Sequence, residues 1–187
     1  GKISTRFAAA LKKVEGVELT AVAARDQARS NAFAQQFSAK RAYQSYANLM
    51  TDDEVDVIYV GLTHNFHYDV TKACLEHHKA VLCEKPLVLT RKDAEELVAL
   101  ADQNHTLLME ALWTRCLPAF RKAREWVRQG KIGQPKLIVA DFSYQTIYDP
   151  TSRQYDPLLA GGRLFDVGID PIDLATGLLG EYPVAVG

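Results

Sequence analysis

The chain has 187 residues, 48% hydrophobic and 24% charged, with 22 Lys+Arg against 23 Asp+Glu for a formal net charge of −1. Those values exclude the disordered, collagenous and coiled-coil classes. They also remove the basic excess that a non-specific binder of nucleic acid or of an anionic membrane carries, so the expected partners are small molecules or protein.

Taken in chain order, residues 5–13 read as a helix, and 17–24 (VELTAVAA) as a short buried parallel strand bounded by Gly16 and Arg25-Asp26. Residues 26–37 follow as a helix capped by Asp26, with Ala28, Ala32, Phe33 and Phe37 at helical spacing. A second strand spans 55–61 (VDVIYVG), leading into a helix through Val70, Ala73 and Cys74. Residues 79–84 (KAVLCE) form a third strand, and Thr90 with Asp93 opens a helix that turns Ala94, Leu97, Val98 and Ala101 inward. A fourth strand is expected at 107–110. Strand and helix alternating at this pitch predict right-handed crossovers and a doubly wound parallel sheet, an α/β fold.

The pattern changes after Trp113. A helix over 118–129 stops at Gly130, and 136–145 (KLIVADFSYQ) alternates like a strand with one solvated face. Residues 149–162 are loop, 164–179 return to helical periodicity, and 183–187 resemble the start of another strand. A domain boundary is expected near residue 115. The first domain would be 1–115 and the second 116–187.

The three cysteines, Cys74, Cys83 and Cys116, form no CxxC pair and read as the reduced thiols of a cytoplasmic protein. No apolar run reaches the ~18 residues of a membrane span. The pair His64 and His67, and the pair His77 and His78, lack the Cys or acidic partners of a metal site, so no metal is expected.

Three features carry chemistry. Gly1-Lys2-Ile3-Ser4 runs straight into a helix, as the later part of a dinucleotide glycine turn does: glycine admits the pyrophosphate and the helix start supplies N–H groups. At the end of the next strand, about 20 residues on, an acidic residue selects NAD and an Arg accommodates a 2′-phosphate. Here the sequence is Ala24-Arg25-Asp26. Arg25 is either a solvated loop charge or a phosphate ligand favouring NADP, and Asp26 a helix cap. Third, Glu84-Lys85-Pro86 closes a central strand, where open α/β sheets place ligands, and a partly desolvated Lys there can exchange a proton with a substrate hydroxyl.

Around that triplet, Ala80-Val81-Leu82-Cys83-Glu84-Lys85-Pro86-Leu87 resembles the strand and EKP motif of the glucose-fructose oxidoreductase/inositol dehydrogenase (Gfo/Idh/MocA) family. Three further segments agree in order. Val60-Gly61-Leu62-Thr63-His64-Asn65-Phe66-His67 is similar to the family's cofactor loop. Met109-Glu110-Ala111-Leu112-Trp113-Thr114-Arg115 resembles the branch of dimeric dihydrodiol dehydrogenase and NADP-dependent D-xylose dehydrogenase. Gly161-Gly162-Arg163-Leu164-Phe165-Asp166-Val167-Gly168 resembles that branch's glycine turn into a helix.

The resemblance implies an NADP-dependent enzyme, with NAD the lesser alternative, that passes hydride between nicotinamide and a sugar or cyclic diol. It implies a catalytic Lys85, and a cofactor held by Gly1, Lys2, Ile3, Arg25, Thr63, His64, Asn65, His67, Glu84, Lys85, Trp113 and Arg115. It also places Asp166 in the substrate pocket, gives the second domain a largely antiparallel α+β sheet, and makes the full-length protein a homodimer. The chain then reads as truncated at both ends, lacking a first strand and most of the second domain.

One position departs from the pattern. The family's Tyr or His proton donor four residues after Asp166 is replaced by Asp170. With a reference pKa of about 3.9, a carboxylate is a poor acid near neutrality unless buried. Asp170 therefore enters as a candidate catalytic and substrate residue, and it is also the feature that favours the alternative, a non-catalytic NAD(P)-binding sensor.

Overall fold

The computed structural model describes residues 1–185. It opens with α1 (Lys2–Leu11), whose Ala8 is buried. Next, β1 (Ala21–Ala23) pairs in parallel with β2 (Arg41–Tyr43), Val22 opposite Ala42. Between them α2 (Gln27–Phe37) starts where the Asp26 carboxylate accepts from the Arg29 N–H at 2.8 Å. A short α3 (Tyr46–Met50) is capped by Ser45.

A second sheet has the order β3 (Val57–Val60), β4 (Ala80–Cys83), β5 (Leu108–Glu110), with β3 and β4 parallel and Val60 opposite Cys83. Two helices, α4 (His67–Glu76) and α5 (Arg91–Gln103), connect these strands. The core sits between strands and helices: Cys74, Leu75, Val81, Cys83 and Leu97 are fully buried. Thr90 accepts from the Asp93 N–H at 3.1 Å, the cap expected from the sequence. Parallel strands alternating with helices confirm the α/β Rossmann-type class.

The first strand is shorter than expected, three residues instead of eight. Its partner offers only 41–43 to pair with, and Val17 is left exposed. That partner escapes hydropathy because it holds its place by charge. Arg41 binds Asp52 and Glu54 at 2.8 and 2.9 Å, and the Tyr43 hydroxyl donates to Asp52.

The chain divides into two compact units, Gly1–Met109 and the residues from Glu110 onward. In the second unit, α6 (Pro118–Arg128) is followed by a π-helical turn, Leu164–Gly168, that runs into α7 (Ile169–Leu179). Gly177 of α7 meets Phe120 of α6 so closely that a Cβ would lie 2.7 Å from the ring.

The strand expected at 136–145 is a correction. Among the described residues the segment joins no ladder, and Leu137 and Val139 are 81% and 86% exposed. Alternation alone does not make a strand: the backbone needs a neighbour, and none is present among the described residues of this unit. The antiparallel sheet implied for the second domain likewise has no strand among them. Residues 183–185 are not strand, and Val186 and Gly187, the rest of the last expected strand, lie outside the described residues.

Candidate functional site

The first unit gathers most of the candidate residues at the carboxyl ends of β3 and β4. Beyond β3 the chain turns at Gly61, where a Cβ would come within 2.7 Å of the Ser4 hydroxyl and 2.8 Å of the Tyr59 ring. Only glycine lets α1 approach the strand so closely. The Ser4 hydroxyl donates to the Gly61 carbonyl at 3.3 Å, which brings the start of α1 beside the loop 62–66. Gly1 caps that helix without a side-chain bond, and no acidic residue occupies its first turn. Gly1, Lys2 and Ile3 thus stand at a partly positive helix start of the kind that binds phosphate groups.

In the loop, the Thr63 hydroxyl donates to Asn65 at 2.8 Å, and a single 3-10 turn over His64–Phe66 leads into α4. His64 is buried, and its ring meets that of His67 edge-on at 5.7 Å. Arg25 is exposed and lies over the Phe66 ring, 5.2 Å from its centroid. Asp26 caps α2, the role expected for it, while Arg25 lies against Phe66 of the loop 62–66.

Glu84 and Lys85 follow β4 directly, both half-buried, and the Lys85–Pro86 bond is cis. His67 ties this turn down. Its Nδ1 lies 2.7 Å from the Pro86 carbonyl and its Nε2 3.3 Å from that of Leu62, and the ring is fully buried. A carbonyl only accepts, so the His67 nitrogen that meets the Pro86 carbonyl is the donor in that bond. The expectation that His67 lines the cofactor changes accordingly. Both its nitrogens face backbone, and it fastens the Lys85–Pro86 turn to the loop that carries Thr63 and Asn65.

The second unit holds the other candidates. Trp113 is exposed, and the Arg115 guanidinium is paired with the buried Asp173. Asp166 is buried on the π-helical turn, where its carboxylate accepts from the Tyr144 hydroxyl at 2.8 Å and from Arg153 at 2.9 Å. Gln154 donates in turn to the Tyr144 oxygen at 2.9 Å. Asp170 is buried one turn further on.

Sequence reasoning missed Tyr144, Arg153 and Tyr59. Tyr144 lies in the segment that alternates like a strand and Arg153 in the one read as loop, and only the fold brings both to Asp166. Tyr59 gives a usable signal, since a Tyr in a buried strand must find a partner for its hydroxyl. That partner is Glu84, at 2.6 Å. Among the described residues, no three His, Cys, Asp or Glu side chains converge as a metal site would require, and no helix is long and apolar enough to cross a membrane.

Residues 1–112 match the model of an oxidoreductase family with an NAD-binding Rossmann fold, and residues 120–187 match the GFO/IDH/MocA C-terminal domain. A trans-1,2-dihydrobenzene-1,2-diol dehydrogenase of Xenopus tropicalis is 39% identical over 100% of this chain and 57% of its own length. The human protein of that name is 38% identical over 96% of this chain and 54% of its own. Among solved structures, the aldose-aldose oxidoreductase of Caulobacter crescentus superposes with a TM-score of 0.90 at 27% identity, covering 98% of this chain and 56% of that one. A 3-ketoreductase of Actinomadura kijaniata, solved with NADP and TDP-benzene, has a TM-score of 0.80 at 30% identity, over 96% and 55% of the two chains. The chain spans about half the length of these curated relatives.

Proposed function

This chain belongs to the GFO/IDH/MocA oxidoreductase family, and from that premise we propose that it serves an NADP-dependent dehydrogenase of sugars or cyclic diols. Residues 1–115 are the dinucleotide-binding part and 116–187 the substrate part. When bound, NADP supplies the hydride chemistry and the protein supplies orientation and one proton. Gly1, Lys2 and Ile3 would hold the pyrophosphate, Arg25 the 2′-phosphate, and Thr63, His64, Asn65 and Glu84 the remainder, with Trp113 and Arg115 as further candidates for the cofactor. A reducing cytoplasm suits three cysteines that form no disulfide among the described residues.

The preference for NADP rests on Asp26. The carboxylate that would select NAD is engaged on the Arg29 N–H, whereas the neighbouring Arg25 side chain is exposed. The substrate class rests on the names of the relatives. Asp166, charge-paired with Arg153 and bonded to Tyr144, gives the second unit a polar cluster suited to hydroxyl groups.

The observation that carries the reading is Lys85, half-buried at the carboxyl end of a central parallel strand on a turn that His67 fastens from within. Lys85 exchanges the proton of the reacting hydroxyl. Lys85→Ala should abolish turnover of aldoses and trans-dihydrodiols, followed by absorbance of the reduced nicotinamide, while NADPH binding survives. Retained activity would falsify the role. Asp170, a carboxylate where a Tyr or His is expected, favours a second reading, a sensor that binds NADP without turnover. Binding with no activity across the substrate panel would establish it.

A further inference from the structure

We propose that Tyr59 is a positioning residue for cofactor recognition, holding the Glu84 carboxylate on the α1 side of the sheet so that its second oxygen accepts from an N–H or O–H of the bound dinucleotide. This rests on the cofactor-binding reading above and goes beyond it, because neither the motifs nor the family resemblance points to Tyr59.

Three contacts fix the tyrosine. Its ring stacks on Phe7 of α1, with centroids 3.8 Å apart and planes 8° from parallel. The ring's edge fills the space that a Cβ on Gly61 would occupy. Its hydroxyl then crosses from β3 to the residue after β4 and donates to Glu84 Oε1 at 2.6 Å. A short O–H···O⁻ bond of this kind is about twice as strong as a neutral one.

A tyrosine that needed only a partner for its hydroxyl could have met a backbone carbonyl. Here the partner is the side chain immediately before Lys85, where parallel α/β sheets bind their ligands. Burial, and then the Glu84 hydrogen bond and charge, push the Tyr59 phenol above its usual range, so it remains a donor throughout the physiological range. The stack on Phe7 joins this bond to the helix whose start receives the pyrophosphate. One side chain therefore sets the spacing between two parts of the cofactor site.

The test is Tyr59→Phe in the natural-length protein, which keeps the ring and removes only the hydroxyl. NADPH affinity, read by fluorescence titration, should weaken about tenfold, the usual scale for losing a hydrogen bond to a charged group. At saturating NADPH, kcat should hold. In a Glu84→Gln background, or a Glu84→Asp one if the amide fails to fold, the added Tyr59→Phe should have little further effect on affinity. A structural tyrosine would instead lower the unfolding midpoint and leave affinity unmoved, or act equally in both backgrounds. Either result overturns the proposal. If the wild-type protein does not bind NADPH at all, the cofactor reading fails and this one fails with it. Wild-type binding that Tyr59→Phe leaves intact removes Tyr59 alone.

Discussion

Two neighbouring residues, Arg25 and Asp26, have separable jobs. Asp26→Ala should cost about 1 kcal/mol through the lost cap and leave the ratio of kcat/KM for NADP and NAD unchanged. Arg25→Asp should leave stability nearly untouched and shift that ratio toward NAD; urea unfolding and paired kinetics distinguish the two. His67 is a residue whose chemistry was legible and whose role was not. The motif marks it as part of the cofactor loop, yet only the fold shows that its ring is buried against two carbonyls. His67→Phe keeps a flat aromatic ring, somewhat larger, but orphans the Pro86 carbonyl, an expected loss of at least about 1–3 kcal/mol. Activity should fall with it, as the Lys85 turn loosens. Tyr144 and Arg153 were illegible for another reason: their meeting with Asp166 depends on loop paths that no local pattern encodes.

At the scale of elements, the sequence was most readable where burial and capping act together. Asp26 and Thr90 cap the helices they were expected to cap, and 79–84 contains β4 because a continuous apolar run admits little else. It was least readable where short elements are held by side-chain charge, as β2 is by Arg41, Asp52 and Glu54, or by a single cap, as α3 is by Ser45. The close approach of α6 and α7 makes a sharp prediction. Gly177→Ala puts a methyl against Phe120 and should destabilise the second unit by about 1–3 kcal/mol, visible in its unfolding transition. Leu97→Ala, in the core that α5 shares with β4, should cost about 2–5 kcal/mol. That loss belongs to the first unit.

For the whole molecule, buried acids that stay protonated set the alkaline limit. Burial pushes the Cys74 thiol up to about 12 from its usual 9.0, and Tyr59 is raised above its usual 10.0. Above those ordinary values the unfolded chain releases protons that the folded chain keeps, so stability should fall as pH rises past about 9. Urea midpoints followed upward from pH ~8 would show it, and Tyr59→Phe should flatten the part of the decline above about 10. The α/β class was legible from strand–helix alternation, whereas the expected sheet of the second domain was not, since alternation specifies which face is apolar and leaves pairing unspecified. That leaves the segment 136–145 with a hazard of its own. Exposed apolar side chains such as Leu137 and Val139, on a stretch that joins no ladder among the described residues, make it a template for pairing with its own kind in other molecules. Handled at high concentration, the chain should form β-rich aggregates through this segment first, and a single Val139→Lys should delay them.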